Sequence, residues 1–505
     1  MEPTKTMFSW LETCLLSLFS LIILISFISF KWVKSGSKTK KNLPPSPSKL
    51  PIIGNLHQLR SSPVRSLHAF SKKHGPLILM HFGRVPMLIA SSAEAAKEIM
   101  KTHDLKFSNR PKLRIPDKLI YSSGDITFSP YGEFWRQVKS IAVVHLLNTA
   151  RVHSFRQVRE NEIGLMIDTI AKGHDSLVDL SELTFWLVNN IVCKVCFGRS
   201  CQGLKLTNLL ERFVHVLGAL CVGDYLPWLS WVDRLSGLED KACKVAKDFD
   251  EFLEGVIEEH LEKRKEGDDH SEEDQDFVDT LLDIQRDNTI GFALQRDSIK
   301  AIILDVFAAG TDTTYASLVW SISELIRHPR VMNKLQQEVA EVAQGRSMIY
   351  ENDLEKMVYL KATIKETFRL YPPIPLIPRE SMQDVKVMEY DIPAGTQTII
   401  NAWAIGRDPN LWEEPDEFRP ERFLNNSIDY KGLHFELLPF GAGRRGCPGV
   451  QFAIVMYELA LANVIYKFDL SLPNGVEGKD LDMSVKNSIT LHKKSPLLVI
   501  ATPRF

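Results

Sequence analysis

The chain has 505 residues, 44% hydrophobic and 25% charged, with a formal net charge of −2. That composition is ordinary for a globular protein, and the near-neutral balance excludes a strongly basic nucleic-acid binder. Seven cysteines, odd in number and irregularly spaced (14, 193, 196, 201, 221, 243 and 447), build no disulfide framework and fit a reducing compartment.

Residues 13–30 carry no charge and are dominated by Leu, Ile and Phe. As a helix rising ~1.5 Å per residue they would span about 27 Å, close to the ~30 Å hydrocarbon core of a bilayer. Lys31, Lys34, Lys38, Lys40 and Lys41 follow at once. A cleaved signal peptide carries its positive charge before the apolar run, so the pattern reads as an uncleaved anchor, residues 13–33. The positive-inside rule leaves residues 1–12 luminal and the lysines cytosolic. Residues 34–55 then form a basic, proline-rich hinge around Leu43-Pro44-Pro45-Ser46-Pro47, stiff and neither helix nor sheet. Residues 56–505 follow as the folded body.

Within it, the apolar runs 77–82 and 87–90 around residues 83–86 predict a hairpin. Trp135 and Lys139 lie four apart and share a helix face. Cys193 and Cys196 form a C-x-x-C inside the apolar stretch 187–197, which reads as buried helix rather than a redox or zinc pair. Residues 219–235 are rich in aromatics (Tyr225, Trp228, Trp231) and read equally as ordinary core. Residues 263–276 are a charge run, read as a solvated loop.

Asp297 or Ser298 can cap a proline-free helix running to about His328, before Pro329. Within it, Ala309-Gly310-Thr311-Asp312-Thr313-Thr314 is poor helix-interior material, and a threonine can bond back to a carbonyl and bend the helix. A distortion with a polar notch is expected there. Glu366 and Arg369, three apart, share a helical face; such pairs are usually surface salt bridges worth ~0–1 kcal/mol. The segment 372–379, Pro372-Pro373-Ile374-Pro375-Leu376-Ile377-Pro378-Arg379, holds too many prolines for helix.

Residues 440–449, Phe440-Gly-Ala-Gly-Arg-Arg-Gly-Cys-Pro-Gly449, place Cys447 among glycines and arginines. Glycines allow close backbone approach, and neighbouring cations favour a thiolate, a strong metal ligand. Phe440, Gly443, Arg445, Cys447 and Gly449 match the haem-binding loop of the cytochrome P-450 family place by place. The remaining motifs fall in that family's order, so the chain resembles a plant microsomal A-type member over nearly its whole length. The resemblance implies a mainly α fold with a small β-rich subdomain, behind an N-terminal transmembrane helix. It implies haem b with Cys447 as axial iron ligand, Phe440 near the sulfur, and a turn at Gly443. A sulfur ligand pushes electron density toward O–O cleavage, a use for which the P-450s are the standard example. Trp135, Lys139, Arg379 and Arg445 would meet the haem propionates; lysine at 139, where arginine is usual, is a departure. Thr313 and Asp312 would stabilise bound oxygen and relay protons. Glu366, Arg369 and, from Pro420-Glu421-Arg422-Phe423, Arg422 would form a buried structural lock. Leu304, Phe307, Ala308, Ile374, Leu376, Ile377 and Ile489 would line the substrate pocket; glycine is common at Ser488. In microsomal relatives the region of 219–235 dips into the bilayer.

The activity implied is a monooxygenase on the endoplasmic reticulum membrane, single-pass, with its catalytic domain in the cytosol. Dioxygen is the co-substrate. Since no flavin or nicotinamide site is visible, electrons must come from a separate NADPH-dependent reductase, with cytochrome b5 a second candidate donor. The resemblance implies hydroxylation, and the apolar pocket positions predict a lipophilic substrate such as a terpenoid, an alkaloid or a phenolic such as a coumarin. Desaturation, ring closure or C–C cleavage share the same oxidant, and a non-catalytic haem-binding protein is a remote alternative that the intact Asp312, Thr313 and Cys447 oppose.

Overall fold

A proline-free run of 32 residues forms one helix, Arg296–Arg327, and most of the chain packs around it. The structure, a computed structural model, describes residues 17–26, 41–59, 62–173, 176–201, 204–266, 275–287, 293–486 and 488–505. In chain order, the elements that position the site are β1 (Leu77–Phe82), β2 (Val85–Ala90), α1 (Glu133–Ile141), α2 (Leu180–Phe197), α3 (Leu238–Lys265), α4 (Arg296–Arg327) and α5 (Val358–Leu370). They continue with β3 (Leu376–Glu380), β4 (Gln397–Asn401), α6 (Val450–Lys467), β5 (Val485–Lys486) and β6 (His492–Lys493).

Helix α4 is apolar nearly all round because it is covered nearly all round. Phe307 inserts toward Phe197 of α2 and Phe249 of α3, with ring centroids 5.6 and 6.4 Å away. Lys300 fastens the α3 crossing, reaching Asp250 at 2.6 Å and Glu254 at 2.8 Å. On another side, Tyr457 of α6 meets Ser321 Oγ at 2.5 Å, and that hydroxyl lies 2.8 Å from Thr367 Oγ1 of α5. The N-cap of α4 is Gln295, without a side-chain bond, rather than Asp297 or Ser298. Asp297 falls in the first turn, where its charge complements the helix dipole. Pro329 opens the next helix and ends α4.

The small sheet runs β1-β2-β4-β3. Strands β1 and β2 make the expected hairpin, pairing Leu77 with Ala90 and Phe82 with Val85 around Gly83-Arg84, so Val85 and Pro86 are strand rather than turn. Strand β4 runs parallel to β2 and antiparallel to β3, setting Arg379 opposite Thr398. A second sheet packs Leu177–Asp179 and Phe468–Ser471 on either side of Leu498–Pro503. Cys193 and Cys196 are fully buried within α2. Residues 263–265 are the last turn of α3 rather than loop; residues 267–274 of that charge run lie outside the described residues.

An N-terminal helix spans Ser17–Ser26, with Leu18, Phe19, Leu21, Ile22, Ile23, Leu24 and Ile25 all exposed. Residues 1–16 and 27–40, including Lys31, Lys34, Lys38 and Lys40, lie outside the described residues. The helix Ser17–Ser26 is shorter than a span. Among the described residues four stretches are long and apolar enough, of which α2, α4 and α6 are mostly buried and owe their composition to the core, while Leu206–Tyr225 is 44% buried. Residues 219–235 fold into short helices in which Cys221 and Leu226 are buried core, while Trp228 and Trp231 are 46% and 54% exposed and are not.

Candidate active site

The loop at 440–449 is held open by two left-handed glycines, Gly441 (φ 66°) and Gly443 (φ 68°). Gly443 also has no room for a side chain: a Cβ would fall 2.4 Å from both Asp104 Oδ1 and Met100 O. The turn closes as Cys447 N donates to Phe440 O at 2.9 Å and Gly446 N to Gly443 O at 2.9 Å. The Phe440 ring packs edge-on against Phe368 of α5, 5.4 Å away. Gly449 caps α6, and its N–H donates to the Cys447 sulfur.

Cys447 keeps accessible surface, yet burial is the main influence on its thiol and pushes it up, opposed by the Gly449 N–H and the Lys139 ammonium. Both observations hold because that surface faces an internal space rather than bulk water. Around the space stand four cations bonded to backbone carbonyls. Arg445 donates to Ser108 O at 2.7 Å, Ile126 O at 3.3 Å and Ser129 O at 2.6 Å. Arg379 reaches Pro378 O at 2.9 Å and Ala442 O at 3.3 Å. Arg110 donates to Thr127 O at 2.9 Å and also bonds Pro378 O. Lys139 donates to Gly446 O at 2.6 Å. Trp135 lies under Arg445, 4.1 Å from its guanidinium, and donates Nε1–H to Ile126 O at 2.9 Å.

Burial, then mutual repulsion, lowers these cations: Arg445 to about 9, Lys139 to about 8, and Arg379 well below its usual range. Arg110 falls to about 10 through burial, partly offset by Asp125. Four mutually repelling cations, Arg379 and Arg445 buried and Arg110 and Lys139 half-buried, call for facing anions. A porphyrin with two carboxylates and an iron accepting a thiolate meets that demand and the donor chemistry of Cys447. The residues therefore fit haem.

On α4 the accessible face is Asp305, Val306, Ala309, Gly310 and Thr313, while Leu304, Phe307 and Ala308 turn into the core. The helical period puts 305, 309 and 313 in one row and 304 and 307 off it, so those three residues expected as pocket wall pack against neighbouring helices instead. Thr313 Oγ1 donates to Ala309 O at 2.8 Å, but helix α4 runs on unbroken, so the polar notch exists without the expected distortion. Ile374, Leu376 and Ile489 are half-buried, and their segments meet where Leu491 N donates to Pro373 O at 2.9 Å. Ile377 points instead into a small core cluster beside the sheet.

Glu366, Arg369 and Arg422 come together. Arg369 makes two bonds to Glu366, of 2.7 and 2.8 Å, with neither side chain exposed, and Arg422 Nε reaches Glu366 Oε1 at 3.0 Å. Arg369 also donates to the carbonyls of Gly406, Pro415 and Glu417, so the group is fully bonded. It ties α5 to the segment leading into the Cys447 loop.

Two site residues escaped the sequence reading. Arg110 has no motif but a neighbouring proline to mark it. Asp305 is a carboxyl on the cavity face, accepting from Ile126 N at 2.7 Å and Thr127 N at 3.1 Å. Burial raises it well above the usual carboxylate range, and Asp125 beside it raises it further. A charged residue inside an apolar helical run was the available signal.

Comparison with known proteins agrees with this geometry. A family model described as cytochrome P450 matches residues 44–500. "Cytochrome P450 Tp4149" of Tanacetum parthenium is 58% identical, covering 98% of this chain and 99% of its own length. A "3-beta-hydroxylase" of the same plant is 54% identical over 99% and 100%, and the "psoralen synthase" of Ammi majus 48% over 96% and 97%. A solved zebrafish cytochrome P450 with abiraterone superposes with a TM-score of 0.72 at 24% identity, covering 88% of this chain and all of that one; it bears on the fold alone.

Proposed function

Because the chain belongs to the cytochrome P450 family, with relatives of the plant A-type group, we propose that it hydroxylates a lipophilic small molecule of plant specialised metabolism. It is an oxidoreductase, a haem-thiolate monooxygenase using dioxygen and electrons from a partner reductase. The observation that carries the site assignment is the inward-facing Cys447 sulfur within a ring of four carbonyl-bound cations.

Cys447 would hold the iron, with the Gly449 N–H and Lys139 favouring its thiolate against burial. Arg110, Trp135, Lys139, Arg379 and Arg445 would hold the propionates. Bound haem supplies the reduction of dioxygen and the insertion of one oxygen atom into a C–H bond. Thr313 presents a hydroxyl on the cavity face of α4, and Asp312, next in the chain, would pass protons toward it from the far side. Val306, Ala309, Ile374, Leu376 and Ile489 would orient an apolar substrate and exclude water. Hydroxylation is favoured because a relative at 54% identity carries that name; a synthase among the relatives keeps ring closure or desaturation as the second reading.

The exposed apolar helix Ser17–Ser26 supports a single-pass anchor at 13–33 in the endoplasmic reticulum membrane, with the catalytic domain cytosolic and cytochrome b5 as a further electron donor. Reduced protein given carbon monoxide should show the red-shifted Soret band of a thiolate-ligated haem, and a Cys447→Ala variant should lose it. A screen of lipophilic metabolites should then find compounds that give a type I spectral shift and drive NADPH use; no response from any of them would overturn the apolar-substrate reading.

A further inference from the structure

Asp312 has a partner that no motif marks. His492 Nε2 lies 3.1 Å from its Oδ1 and 3.2 Å from its Oδ2, with the two side chains only 12% and 13% exposed. His492 stands on β6, paired with Lys486 of β5. Its backbone is pinned by its neighbour: Trp320 Nε1 donates to Leu491 O at 2.6 Å, and Leu491 N to Pro373 O. Tyr315, one turn beyond Asp312 on α4, lies against the imidazole with ring centroids 5.7 Å apart. The imidazole is therefore fixed in place, aimed at both carboxylate oxygens.

The charges around the pair leave the histidine as its partner. Among the described residues, no lysine or arginine pairs with Asp312. Lys486 is exposed, and Lys493 turns toward Ser495 O and Asp482. On α4, the Tyr315 phenol is pushed up to about 12 by burial and by Asp312, Asp179 and Glu211, so it stays neutral.

We infer that His492 is the positioning residue for Asp312, holding its carboxylate in one orientation. The inference rests on the roles proposed above for Asp312 and Thr313. An arginine here would offer the same two carboxylate oxygens a planar donor fork. The group that would pass protons toward Thr313 is thereby oriented by a residue outside the cavity. The transfer moves protons only; nothing is oxidised at His492.

The test uses the full-length protein with its reductase and a substrate found in the spectral screen. His492→Gln should keep the red-shifted carbon monoxide band, the thermal midpoint and the substrate's spectral Kd. Product formed per NADPH should fall roughly tenfold, the scale of one lost hydrogen bond to a charged group. His492→Arg should restore that coupling. A readout independent of turnover is the histidine-labelled NMR spectrum of the diamagnetic ferrous carbon monoxide form. The resonance lost in His492→Gln should shift in Asp312→Asn. Unchanged coupling in His492→Gln, no rescue by arginine, or an unmoved resonance would each overturn the inference. These failures are distinct from failure of the monooxygenase reading, which would appear as a wild-type protein without the carbon monoxide band.

Discussion

Gly443 shows how much one residue can carry. Its φ of 68° and the 2.4 Å approach that a Cβ would make to Met100 O leave only glycine without strain. Gly443→Ala should cost about 2 kcal/mol or more, seen as a lower thermal midpoint and less incorporated haem. Asp125 is a residue-scale cost of another kind. It is fully buried, its Oδ1 has no partner, and burial raises it to about 6. Its folded value exceeds its unfolded one, so the native state binds more protons between about pH 4 and 6, and stability falls as pH rises through that window. Asp125→Asn should therefore flatten the thermal midpoint across that range and raise it at ~pH 7. An unchanged pH profile would show that Asp125 is not held protonated by the fold.

At the scale of elements, α4 divides its faces with a period that the apolar composition conceals. Phe307 is 1% exposed among Phe197 and Phe249, whereas Ala309 is exposed to the cavity two residues on. Phe307→Ala should cost about 3–5 kcal/mol of stability and leave the substrate's spectral Kd unchanged. Ala309→Leu should do the reverse: little loss of stability, and binding weakened roughly tenfold, as for about 1.4 kcal/mol of lost pocket fit. Thermal melts and spectral titrations of the two variants separate these outcomes. The sequence signalled this helix through its length, lack of proline and hydroxyl cluster. It could not signal rotation, because a helix that is apolar on every side has no amphipathic stripe from which to read a facing.

For the whole molecule, exposed apolar residues are scattered over the surface of the described residues, but they gather in the helix Ser17–Ser26 and again in the segment bearing Leu220, Trp228, Trp231 and Leu235. Exposed apolar surface of this kind marks contact with a membrane or partner. A chain lacking residues 1–40 should keep the carbon monoxide band and still sediment in part with phospholipid vesicles, and Trp228→Ser with Trp231→Ser should release that remainder. The hinge stays tied to the body in such a chain, through Lys41 to Asp384 at 2.7 Å and Asn42 N to Asp391 at 2.9 Å. By itself the sequence determined the family, the cysteine and its glycine turn, the length of α4 and the Glu366–Arg369–Arg422 set, because these are written in contiguous residue types or fixed short spacings. Only the tertiary structure decided that Arg110 joins Arg379 and Arg445, that Asp305 rather than Leu304 faces the cavity, and that His492 meets Asp312. The contacts that hold these groups join residues up to 337 positions apart in a chain whose local propensities say nothing of one another; the packing of β-strand edges and loops against helices brings them together.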